Sequence, residues 1–151
     1  MSLLVSIAIT TGILSALWGW VSVSLGLLTW AGFLGCTTVF AAPKDGLKGL
    51  SLSIITNLSG VFWCIAIIKM SEIANLEILG FVAIGIVATL MCVQAKQAWL
   101  NFIPGTFIGC CATFAANGDW KAVIPALIIG AVFGYLMKTS GIWLHSKISP
   151  Q

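Results

Sequence analysis

The chain has 151 residues, of which 60% are hydrophobic and only 7% charged, against roughly 25% charged in an ordinary soluble domain. Seven lysines, four carboxylates and no arginine leave a net charge of +3, and the mean hydropathy is +1.10. So few charges cannot cover a soluble enzyme, and a disordered tail or a nucleic-acid module is excluded too; the composition predicts an all-α integral membrane protein with no nucleic-acid partner.

A membrane span needs about 20 mainly apolar residues, or about 17 at the short end. Six stretches qualify along the chain. The first, Leu3–Val23, has no basic residue before it and no small-residue cleavage site, so it reads as an uncleaved span. The second runs from about Leu25 to Ala42 and meets the polar turn Pro43-Lys44-Asp45-Gly46. The third, Leu47–Ile68, stops at Lys69 before an acidic stretch holding Glu72 and Glu77. The fourth, Ile78–Val93, is closed by Gln94, Lys96 and Gln97. The fifth covers about Ala98–Ala116, ahead of the turn Asn117-Gly118-Asp119. The sixth runs from Lys121 to about Leu144, and the tail His145–Gln151 is short and polar. With such short connections, residues 1–151 form one membrane domain, and any function lies in its embedded body.

Trp18, Trp20, Trp30, Trp99, Trp120 and Trp143 fall near expected span ends, as an interfacial aromatic belt does; Trp63 lies deeper and reads as packing. Placing both termini in the cytoplasm puts Lys44, Lys48, Lys96, Lys138 and Lys147 inside and Lys69 and Lys121 outside, the direction of the positive-inside bias. Cys36, Cys64, Cys92, Cys110 and Cys111 lack metal or disulfide spacing and read as small apolar packing residues. The spacing predicts no metal site, cofactor or catalytic group.

The second and fifth stretches resemble each other. Phe33 to Ala42 aligns with Phe107 to Ala116 at six of ten identical positions, and each segment leads into a turn carrying an acid (Asp45, Asp119) and a lysine opening the next span (Lys48, Lys121). The chain therefore reads as two three-helix repeats, about 3–70 and about 77–144. An odd number of spans turns the second copy upside down. Gly26, Gly32 and Gly35 are expected to interrupt the second span, and Pro104, Gly105 and Gly109 the fifth. Broken spans at matching places point to a transport site, because freed backbone groups need a cavity or protein partners. The same glycines also suit close helix packing, as small-xxx-small pairs.

No Asp, Glu or His is expected deep in a span, which leaves neither a proton relay nor an acid–base pair. His145 reads as interfacial, Lys48 and Lys121 as snorkelling, and Lys138 as the place where the sixth helix surfaces. The remaining polarity is neutral: hydroxyls along the spans, and Asn57 mid-span, either an interhelical clamp or a pathway group.

Three elements carry a family resemblance: Trp30-Ala31-Gly32-Phe33 with Phe40-Ala41-Ala42, the turn through Gly46-Leu47-Lys48-Gly49, and Asn57-Leu58-Ser59-Gly60-Val61-Phe62-Trp63. Together they resemble the YcdZ-like family of small bacterial inner-membrane proteins of unknown function, over nearly the whole chain. The resemblance implies a multi-pass bacterial inner-membrane protein and supplies no catalytic residues. The Asn57–Gly60 element after a Gly/Thr-rich span is also similar to one half of a urea transporter, although the second repeat lacks the Asn, with Gly130 near its place.

The leading expectation is a channel or facilitator for a small neutral or weakly polar solute. Its path runs between the repeats, bordered by Gly35, Thr37, Thr38, Phe40, Asn57, Gly109, Thr113 and Phe114, with the two Phe meeting near the midplane to set its width. The thin six-span wall points to a homo-oligomer within the lipid bilayer. The alternative is a non-transporting scaffold or accessory subunit, in which the glycines and Asn57 only pack. An intramembrane enzyme is the least favoured reading.

Overall fold

The computed structural model describes residues 2–74 and 77–148. The end of the polar tail, Ser149–Gln151, and the Glu77 side chain of the acidic stretch lie outside the described residues. Six α-helices follow in order: α1 Leu3–Ser24, α2 Thr29–Ala41, α3 Gly46–Ala74, α4 Glu77–Val93, α5 Ile103–Ala115 and α6 Trp120–Ile148, with one 3-10 turn at Gln94–Lys96.

Among the described residues, three helices are long and apolar enough to cross a membrane: Leu3–Ser24, Gly46–Glu72 and Trp120–Ile148. Helices α2 and α5 have 13 residues each. At 1.5 Å per residue that is about 20 Å, short of the roughly 30 Å hydrocarbon core. This corrects the expected boundaries Leu25–Ala42 and Ala98–Ala116. It also corrects the expected breaks, since both helices are continuous. Gly26, at φ 64°, sits in the turn after α1, a left-handed position that costs glycine nothing. Pro104 stands in the first turn of α5, where a backbone donor has no helical partner to lose. The shortening thus happens in the connections, and Gly32, Gly35, Gly105 and Gly109 lie within intact turns.

The third helix also outruns its expected end at Ile68, with Lys69 and Glu72 paired at 2.8 Å on its exposed last turns. Helix α6 continues past Lys138 to Ile148, and that lysine reaches the Asp45 carboxylate at 2.6 Å in the α2–α3 turn.

Each short helix packs chiefly on a long helix from the other half of the chain: α2 on α6, and α5 on α3. Helix α1 likewise packs mainly on α6, and α4 on α3. The registers are parallel for the short–long pairs. Gly105 meets Thr56 at one end of the α3–α5 contact and Gly118 meets Ile68 at the other; in α2–α6, Gly32 meets Gly130 and Cys36 meets Gly134. Helix α1 runs antiparallel to α6, with Thr10 Oγ1 donating to Met137 O at 3.0 Å and Gly141 against Ile7. Burial follows one pattern, position for position, along Thr29–Ala41 and Ile103–Ala115.

Trp18 corrects the belt expectation. It is 0% exposed, its ring fills the space left by Gly32, and it lies 5.4 Å from the Phe133 ring. Its Nε1 donates to Thr29 O at 3.0 Å while Ser22 and Thr29 hydroxyls pair at 2.7 Å. Together these polar contacts fasten the α1–α2 bend, so a ring that could have faced headgroups is held inside.

Candidate functional site

The site is built where α2, α3, α5 and α6 meet. Small residues let the backbones touch there. A Cβ on Gly109 would run into the Asn57 backbone carbonyl, and one on Gly60 into that of Thr106. In the other half, a Cβ on Gly35 would meet the Leu127 carbonyl, and one on Gly130 that of Gly32. The contacts correspond: Asn57 to Leu127, and Gly60 to Gly130. This sets Lys121 against Ser51, not against Lys48, because α3 begins one turn earlier relative to its contacts than α6 does. The Asn of the first half thus has Leu127 as its counterpart.

Asn57 is 1% exposed. Its Oδ1 lies 3.2 Å from Thr38 Oγ1, whose single proton is shared with Leu34 O at 2.8 Å, and its Nδ2 has no partner among the described residues. Turning the amide over would let Nδ2 donate to Thr38 and leave Oδ1 without a donor. In either orientation one end of a buried amide is unpaired, which costs about 1–3 kcal/mol. One turn earlier on the same face, Ser53 Oγ is also buried without a partner among the described residues. Thr56 returns its proton to the Leu52 carbonyl at 2.8 Å.

A second, paired set of neutral groups lies beside it. Gln94 Oε1 accepts from Ser59 Oγ at 2.9 Å and from Trp63 Nε1 at 2.8 Å, and Gln94 Nε2 donates to Thr106 Oγ1 at 3.0 Å. One side chain just past α4 therefore joins α3 to α5. Gln94, expected only to close a span, is the residue the sequence reading missed. Trp63 is more than packing. Ser59 and Trp63 sit one turn apart on one face of α3, so two donors seeking one acceptor were the available signal.

The expected path residues divide. Gly35, Thr38, Asn57, Gly109 and Thr113 are brought together in the buried seam, with Thr113 Oγ1 bonded back to Gly109 O at 2.9 Å. Thr37 is exposed and bonds back to Phe33 O at 2.9 Å. Phe40 and Phe114 are 37% and 41% exposed. Phe114 borders an outward groove with Ile67 and Ile68 of α3 and Phe81 of α4. The meeting of the two rings at the midplane is therefore corrected: both turn outward. Positions five apart on a helix are about 140° apart, so Gly35 and Phe40 cannot share a face.

His145 Nδ1 is enclosed without a partner among the described residues. Lys121 stands 5.7 Å from the Trp120 ring centre. Among the described residues no three His, Cys, Asp or Glu side chains gather closely enough to hold a metal.

Residues 8–142 match the family described as "Protein of unknown function (DUF1097)". "Inner membrane protein YcdZ" of Escherichia coli (strain K12) is 65% identical over 148 residues, spanning 97% of this chain and 91% of that protein. The protein of the same name in Salmonella typhimurium (strain LT2) is 62% identical over 148 residues, spanning 97% and 92%. "Uncharacterized protein YahC" of Escherichia coli (strain K12) is 28% identical over 150 residues, spanning 91% and 90%. No solved structure matches.

Proposed function

The chain belongs to the DUF1097 family, and from that premise we propose a multi-pass inner-membrane facilitator for a small neutral or weakly polar solute. The observation that carries the reading is the Asn57 amide, buried in the α2–α3–α5–α6 seam with one end unpaired. A solute offering a donor or acceptor there would satisfy it, and so would the exchange of partners as the seam opens. Ser53 adds a second hydrogen-bonding group on the same face. Without a carboxylate in the seam, selection rests on hydrogen bonding and width.

The reading places the protein in the membrane as two inverted three-helix repeats, about 3–70 and about 77–144. Support comes from the matched burial of α2 and α5, the corresponding glycine contacts, and helix directions that alternate along the chain. The relatives' names favour the inner membrane, and the lysine distribution favours cytoplasmic termini. Thr37, Phe40 and Phe114 lie on outer faces, so they border a path only where a second copy closes it. A homo-oligomer in the bilayer is part of the proposal. The likeness to half a urea transporter rests on Asn57–Gly60 alone, with Leu127 and Gly130 opposite in the other half.

The test is light-scattering uptake by proteoliposomes holding the full chain, with a panel of small neutral solutes and no pH gradient. Faster entry of at least one solute than in empty vesicles, lost in Asn57→Leu, is expected. Rates equal to empty vesicles for every solute would refute it. A second reading has its own observation: backbone meets backbone at Gly35, Gly60, Gly109 and Gly130, and this fills much of the seam. That favours a non-transporting scaffold or accessory subunit, for which the panel would give empty-vesicle rates throughout. Neither reading assigns enzymatic chemistry.

A further inference from the structure

We infer that the groove between the start of α3 and the α4–α5 connection binds an anionic phospholipid of the surrounding leaflet. The groove encloses about 430 Å³ and is lined by Lys44, Leu47, Lys48, Leu52, Ile55 and Trp99 among others. Its chemistry changes along its length. Lys48, Leu52 and Ile55 lie at helical spacing on one face of α3, so the floor runs from a cation to an apolar end over roughly 10 Å at 1.5 Å per residue. Trp99, 58% exposed, supplies an amphipathic wall of the kind that settles at headgroup depth.

The cationic end is not neutralised from within. Among the described residues the ion pairs are Lys69 with Glu72 and Lys138 with Asp45, and neither uses Lys44 or Lys48. Asp45, the nearest carboxylate in sequence, is held at 2.6 Å by Lys138. The first turn of α3 contributes as well. The dipole of the long helix α3 (Gly46–Ala74) favours an anion near its start. Two lysines beside a helix start suit a phosphate, and the adjoining apolar floor suits an acyl chain. An inorganic anion would gain nothing from Leu52 and Ile55, and a zwitterionic headgroup would gain little from the lysines. The site stands independently of whether the seam conducts a solute.

Native mass spectrometry of the full chain in neutral detergent, supplied with phosphatidylglycerol or phosphatidylcholine of equal chain length, tests this. Preferential retention of phosphatidylglycerol is expected, with Lys44→Gln/Lys48→Gln weakening it about tenfold and Lys69→Gln/Lys121→Gln leaving it unchanged. Equal retention of both lipids would overturn the proposal. So would equal loss in the two double variants, or competition by inorganic phosphate as effective as the lipid itself. A second readout does not depend on the lysine variants folding. Bromine-labelled phosphatidylglycerol should quench the fluorescence contributed by Trp99, taken as the difference from Trp99→Phe, more than labelled phosphatidylcholine does. Equal quenching by both would also count against the site.

Discussion

Replacing Asn57 by Leu separates the energetic worth of the amide from its use. Leucine has the same branched outline and already fills the corresponding place in the other half as Leu127. The variant gives up the contact with Thr38 at 3.2 Å. Hydrogen bonds between helices in membranes average about 0.6 kcal/mol. It also removes the unpaired end of the amide, which costs about 1–3 kcal/mol while buried. The balance predicts that Asn57→Leu is more stable than the natural chain by roughly 0.5–2 kcal/mol. Thr38→Val should go the other way, leaving both ends of the amide without a partner and costing about 1–3 kcal/mol. The double variant should fall near Asn57→Leu, a coupling read from the complete cycle. Unfolding of the purified chain in mixed detergent with rising dodecyl sulfate measures all four proteins. If Asn57→Leu proved less stable by more than about 1 kcal/mol, the amide would be fully paired in the folded protein, and the argument for a solute-binding group would fall with it. A stabilised variant that has lost solute entry is the outcome expected of a group kept for function.

Gly109→Val and Gly35→Val should each unfold more easily by about 1–3 kcal/mol or fail to accumulate, because the added carbons meet carbonyls of the facing helix. Gly12→Ala and Gly19→Ala, where a Cβ meets nothing within 4 Å, should match the natural chain or gain up to about 1 kcal/mol in the same assay. Gln94→Ala removes the acceptor of Ser59 and Trp63 and the donor to Thr106, so its unfolding midpoint should drop well below that of Gln94→Glu at a pH where the carboxylate still accepts both bonds. Reporter fusions at Gln151 and in the Asn117–Asp119 turn should lie on opposite sides of the membrane; the same side for both would end the inverted-repeat reading. Solute entry should persist without a pH gradient and in Asp45→Asn, Glu72→Gln and Asp119→Asn, and a strict requirement for any one of these acids would point to a coupled carrier instead.

Hydropathy located all six helices, and it placed the ends of α1 and α4 within about a residue, finer than the usual scatter of helix boundaries. It overran α2 and α5 for a physical reason. Leu25, Leu27 and Leu28, and Trp99, Leu100 and Phe102, are apolar residues of connections, and a window of composition cannot tell an apolar turn from a helix. The seam was partly visible, because Gly35, Gly109, Thr38 and Asn57 announce themselves as small or polar residues inside apolar runs. The Gln94 network was hidden by position, since a glutamine after a span looks like solvent contact until the fold brings Ser59, Trp63 and Thr106 to it. The Phe pair was misread because sequence matching pays no attention to helical phase; Phe33, Thr37 and Phe40 form one outward stripe, and Phe107, Cys111 and Phe114 another.

The exchange of partners between halves has a consequence for how the protein is made. Helices α1 and α2 emerge first, yet the helix they both pack on, α6, is synthesised after the other five. Until then Gly35 has no Leu127 carbonyl to approach, and Gly32 and Cys36 have no Gly130 and Gly134. The close approaches of Gly35 to Leu127 and of Cys36 to Gly134 can therefore form only after α6 is made. A ribosome stalled before Trp120 would leave α1 and α2 without their main partner, so loss of α6 should be as damaging as loss of α1.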